Sequence, residues 1–216
     1  MIDSKLILIE GMAGSGKSTT GQKVLDELSK RGFKAEFYHE FSREHPIIDY
    51  SETDKRLWIT QTIERWKKLT DKIFNGDKII ILDAAYFQCT IGELLERDAD
   101  QEEINKYAFR ISDVIEPVNP VLIYFYQHDI ESTLESIYAS RNEKWQNKVC
   151  TFLDNTEFGR NNSQTGYELY LEFNKVLRRL TDKIYEQAQI NKLAIENSDP
   201  NWPSIYEKIF NFLHAI

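Results

Sequence analysis

Residues 6–20 read Leu6-Ile7-Leu8-Ile9-Glu10-Gly11-Met12-Ala13-Gly14-Ser15-Gly16-Lys17-Ser18-Thr19-Thr20. The apolar run that opens this stretch, taken from Lys5 to Glu10, has the composition of a strand buried on both faces of a parallel sheet. From Ser18 the period becomes helical, with Val24, Leu25 and Leu28 on one face and Lys30, Arg31 and Gly32 at the stop. Between strand and helix, Gly11 to Ser18 matches GxxxxGK[ST]. Its glycines let the backbone turn so that N–H groups point inward, and the helix N-terminus adds a positive dipole end, making an anion cradle. Lys17 then reaches the β- and γ-phosphates and Ser18 offers its hydroxyl to Mg²⁺, with Gly11, Ala13, Gly14, Ser15, Gly16 and Thr19 completing the loop. Coincidence would produce this pattern in on the order of one chain in a hundred, before the strand and helix are demanded. The glycines fall as GxxGxG, which excludes the dinucleotide fingerprint GxGxxG. A nucleoside triphosphate site is predicted, with ATP and Mg²⁺ as its occupants.

Outward from this stretch the chain keeps alternating. Phe33–Glu40 reads as a second strand, broken by residues 41–46 and Pro46. A helix is predicted over 54–74, a buried strand over 78–83, a helical region over 86–116 interrupted near 97–101, a strand over 120–126 and a helix over 129–141. Residues 145–166 are polar and rich in Asn and read as a mobile loop, a lid segment spanning about 141–166. A long helix over 167–189, a strand over 192–196 and a final helix from Pro203 follow. Five strands alternating with helices predict an α/β three-layer sandwich with a five-stranded parallel sheet, one domain over 1–216.

Composition narrows the partners. The 216 residues suit one domain, and 41% hydrophobic with 12% aromatic residues supply its core. A net charge of −8 opposes binding to a nucleic-acid backbone. No stretch approaches the roughly 20 apolar residues of a membrane span. Cys89 and Cys150 lack zinc or disulfide spacing, which points to a reducing, cytoplasmic setting.

Asp83 ends the third strand at the carboxyl edge of the sheet, where open α/β sheets hold ligands, and suits a Mg²⁺-water ligand or a general base; helix capping is the alternative. Glu40 ends the second strand at the same edge and suits a base toward an attacking hydroxyl, or a solvated surface position. Arg43 follows as a candidate for an acceptor's anionic group. Trp58, Gln61 and Arg65 share one helix face and suit a planar acceptor, although a tryptophan there is equally a core residue. Arg141, at the end of the helix after strand four, is the candidate for neutralising transferred phosphate.

These segments resemble the P-loop kinases of small nucleosides and nucleotides, the thymidylate kinase-like branch most of all. The stretch from Leu6 to Thr20 is similar to their first strand and phosphate loop, Ile79–Phe87 to their third strand and acidic motif, Tyr124–Arg141 to their fourth strand and lid entry, and Lys192–Trp202 to the loop that flanks adenine. The resemblance implies ATP with Mg²⁺ and a nucleoside or nucleoside monophosphate acceptor. It also implies Glu40 as base, and Gln61 and Arg65 as acceptor-binding residues. Here Ala84 follows Asp83 where those kinases carry Arg, which opens the acceptor to a nucleoside, another metabolite or an antibiotic. A nucleotide-gated regulatory protein with a protein partner is the competing class. A homodimer through an exposed aromatic helix face is a further expectation.

Overall fold

The computed structural model describes residues 3–215. In chain order its elements are β1 (Leu6–Gly11), α1 (Lys17–Lys30), β2 (Ala35–Tyr38), α2 (Lys55–Phe74) and β3 (Ile79–Asp83). A π-helical turn (Ala85–Ile91) leads into α3 (Gly92–Glu96), followed by α4 (Gln101–Ile115), β4 (Val121–Tyr126) and α5 (Ile130–Ala139). The chain closes with α6 (Glu143–Asp154), α7 (Glu157–Asn161), α8 (Gly166–Gln187), β5 (Asn191–Glu196) and α9 (Trp202–His214). The strands form one parallel sheet in the order β2-β3-β1-β4-β5.

Side chains of the central strands alternate between two cores, as a period of two requires. Leu6, Leu8, Ile80, Leu82, Leu122 and Tyr124 face the layer of α2, α4 and α8. Ile7, Ile9, Ile79, Ile81, Val121 and Ile123 face α1 and α9 through Val24, Leu28, Ile205 and Ile209. Both faces are covered, so β1 and β3 are buried throughout. The edge strand β2 is half-buried and shorter than predicted, which leaves His39 and Glu40 in the loop beyond it.

Residues 145–166 depart from the expected loop. Most of the segment is helical, in α6 and α7, and polar residues cap those helices: Asn142 accepts from Trp145 N–H at 2.9 Å and Thr156 from Gly159 N–H at 3.0 Å. Trp145, Val149, Phe152 and Leu153 recur at helical spacing, and Trp145 packs edge-on against Tyr170 of α8. Gly159 is buried against the Leu153 carbonyl, where any Cβ would clash. It is a packing glycine rather than a hinge signal.

Candidate active site

The phosphate loop spans Gly11 to Ser18, from the end of β1 into the start of α1. Gly11, Gly14 and Gly16 hold positive φ values of 144°, 78° and 88°, which side-chain-bearing residues resist. A Cβ on Gly11 would come within 2.6 Å of the Phe125 carbonyl, and one on Gly16 would enter the Trp202 ring. The cradle is tied to the far edge of the sheet, since Asn197 donates to the Ser15 carbonyl at 2.7 Å and accepts from Gln127 at 2.5 Å. Lys17 is buried, and its ammonium donates to the Met12 carbonyl at 2.9 Å and to Gln88 Oε1 at 2.8 Å. Ser18 Oγ donates to Asp83 Oδ2 at 2.5 Å, while Asp83 Oδ1 is buried with no hydrogen-bond partner among the described residues. His39 Nε2 lies 3.7 Å from Asp83 Oδ2. Thr19 is exposed on the first turn of α1.

Two residues outside the predicted set complete this centre. Glu10, on the helical-layer face of β1, is fully buried; it accepts from Tyr86 N–H at 2.7 Å and from Gln88 N–H at 3.4 Å. Burial pushes its carboxyl up to about 8, against the lowering pull of the Tyr86 amide and of Lys17. Gln88 then bridges outward, with Nε2 donating to Glu40 Oε2 at 3.0 Å. Burial raises the Glu40 carboxyl, Lys17 draws it down and Asp83 pushes it up. A charged residue inside an apolar run was the visible signal for Glu10, because a carboxyl in a doubly buried strand must find partners.

The loop opens into a cavity of about 700 Å³. Its walls come from Gly11, Met12 and Ala13, from the segment with Glu40 and Tyr50, from the π-turn with Phe87 and Gln88, and from Trp145, Tyr170 and Asn174 on α6 and α8. Its ionisable lining is three carboxyl groups, Glu40, Glu93 (paired with Arg97 at 2.6 Å) and Glu96, and one amine, Lys148. Burial, then Glu93, pushes Glu96 up to about 8. A smaller recess of about 320 Å³ beside Gly14 is lined by Gln127, Asn197 and Trp202.

The helix-face trio lies outside the cavity lining. Trp58 is buried and donates to the Asp49 carbonyl at 3.2 Å, Arg65 pairs with the Asp49 carboxylate, and Gln61 reaches Glu52 at 3.2 Å. Arg97 adds bonds to the Glu52 and Thr53 carbonyls at 2.6 and 2.7 Å. His45 accepts from Ile47 and Ile48 N–H, and burial lowers it to about 4, so the ring is neutral. These groups pin the loop that carries Glu40 and Tyr50. Arg43 is exposed and Arg141 lies over the Trp145 ring at 5.5 Å; neither lines the cavity.

No protein-family model matches the chain. Thymidylate kinase of Brachyspira hyodysenteriae is 24% identical over 201 residues, spanning 88% of this chain and 95% of that protein. The structure of deoxyadenosine kinase from M. mycoides with bound dATP aligns over 97% of this chain and 99% of that one, with a TM-score of 0.52 at 20% identity. The likeness to that solved structure shows that this chain shares its fold. At the Asp83–Ala84 junction Ala84 is fully buried with φ 60°, and its N–H donates to the Ile9 carbonyl at 3.0 Å. Among the described residues no helix is long and apolar enough to cross a membrane.

Proposed function

We propose that this P-loop kinase moves the γ-phosphate of ATP to a hydroxyl of an uncharged small acceptor, a nucleoside. The observation that carries the reading is the cavity itself, which starts at the phosphate loop, passes Glu40 and is walled by aromatic rings with more carboxylates than cations. A monophosphate acceptor would bring two negative charges beside Glu40, with Glu93 already paired to Arg97 at 2.6 Å and Lys148 as its one cationic neighbour in the lining, an unfavourable balance in a site of reduced dielectric. One similar protein is named for a nucleotide and the other for a nucleoside; the charge of this cavity fits the second.

Asp83 Oδ1, a buried oxygen without a partner beside the Ser18 hydroxyl, suits a hard cation such as Mg²⁺. Ser18 and Asp83 would hold that ion, which supplies charge neutralisation at the phosphates. Lys17 steadies the negative charge that spreads over the transferring phosphoryl group. Glu40 takes the acceptor's hydroxyl proton as the new P–O bond forms and the bond to ADP breaks, and its raised affinity for protons suits that task. The recess beside Gly14, flanked by Gln127, Asn197 and Trp202, supports a base-binding position for the nucleotide. The free thiols of Cys89 and Cys150 support a reducing, cytoplasmic compartment. Leu57, Phe74 and Phe109, exposed on α2 and α4, support a homodimer, and a sedimentation mass of one chain would remove it.

The test is ADP release from Mg·ATP with pools of nucleosides, nucleoside monophosphates, sugars and aminoglycosides. Stimulation by nucleosides is expected. Equal stimulation by monophosphates would overturn the charge argument, and turnover indifferent to every pool would favour a nucleotide-gated regulator.

A further inference from the structure

We propose that Gln88 is a spacer that keeps the phosphate-binding ammonium of Lys17 and the carboxylate of Glu40 from pairing with each other. The inference rests on the reading of the loop as an ATP site. One neutral amide touches both charges, its Oε1 accepting from Lys17 at 2.8 Å and its Nε2 donating to Glu40 at 3.0 Å. An amide is the side chain that serves both neighbours at once, since it carries an acceptor for the cation and a donor for the anion. A carboxylate here would repel Glu40, an ammonium would repel Lys17, and a shorter side chain would let the two charges close on one another. A direct pair in this partly desolvated centre would be strong. It would draw the ammonium off the phosphates and lower the base's affinity for the acceptor's proton.

The backbone is built to aim this side chain. Gln88 sits in the π-turn, where Cys89 N–H donates to the Ala84 carbonyl five residues back at 2.8 Å. Ala84 takes a left-handed conformation to start the turn, and Glu10 holds the Tyr86 and Gln88 amides from β1. Gln88 is therefore a positioning residue that acts through Lys17 and Glu40.

The test is a double-variant cycle on the full chain, reading Mg·ATP affinity by isothermal titration calorimetry. Gln88→Ala is expected to weaken binding about tenfold at pH 7.5, as Glu40 captures Lys17. Adding Glu40→Gln removes the captor and is expected to return affinity to within about twofold of Glu40→Gln alone. Gln88→Met keeps the bulk without the hydrogen bonds and is expected to stay within about threefold of wild type, which also covers the case where the alanine variant fails to fold. Additive losses in the cycle, or a tenfold loss in Gln88→Met, would overturn the spacer role while leaving the ATP site standing. A wild type that binds no Mg·ATP would overturn the site reading, and this inference with it.

Discussion

The two halves of the centre are built differently. The phosphate loop takes its cradle from eight consecutive residues whose backbone shape follows from three glycines. The acceptor cavity draws on the loop, the segment beyond β2, the π-turn, α3, β4, α6 and α8, elements separated by more than a hundred residues. A local cradle depends on backbone N–H groups, with Asn197 and Trp202 as its distant supports; an assembled cavity depends on every element that holds its walls. Changes in the first half should therefore act on chemistry and changes in the supports of the second on binding.

Lys17→Ala would break the comparison most sharply. Transfer should fall about a thousandfold or more while the melting temperature holds, and wild-type turnover in a folded variant would sink the assignment. Glu40→Gln stands next: kcat should drop about a hundredfold with KM changed far less, whereas an unchanged kcat would hand the base's role to Asp83.

Glu10 sharpens the contrast from the stability side. Its carboxyl binds a proton more tightly in the folded chain, at about 8 against 4.5. The folded state thus holds a proton that the unfolded chain has released, and its stabilising effect is full below about pH 4.5 and lost as pH rises through about 8. Thermal melts of Glu10→Gln should fall less steeply between pH 5 and 8 than those of wild type. Parallel curves would show that the group titrates alike in both states. The smallest effect belongs to Arg65→Ala, which frees Asp49 and loosens the loop carrying Glu40. The acceptor KM should rise about threefold with kcat nearly kept, and a collapse of kcat instead would place Arg65 in the chemistry itself.

Particular residues show how far the chain was legible. All five strands and their parallel pairing follow from apolar runs separated by helical periods, and the sheet has that form. Ser18, on the first turn of α1, and Asp83, at the carboxyl end of β3, are both candidates for one metal site by sequence, and the parallel pairing of β1 with β3 brings them into contact across 65 positions. Trp58, Gln61 and Arg65 share a face, as spacing requires, but spacing does not say what the face meets; here it meets Asp49 and Glu52. Residues 145–166 misled because cap residues and loop residues are the same amino acids, and only the apolar stripe from Trp145 to Leu153 separates the two cases.

By itself the sequence determined the phosphate cradle, the sheet and the edge at which chemistry occurs, since each depends on local periodicity or on backbone freedom at glycine. Tertiary structure alone decided the cavity beside the loop and the contacts that Gln88 makes with Glu10, Lys17 and Glu40. Those contacts join residues up to 78 positions apart through a π-turn whose extra residue leaves no periodic mark, so their meeting is a property of packing rather than of any one segment.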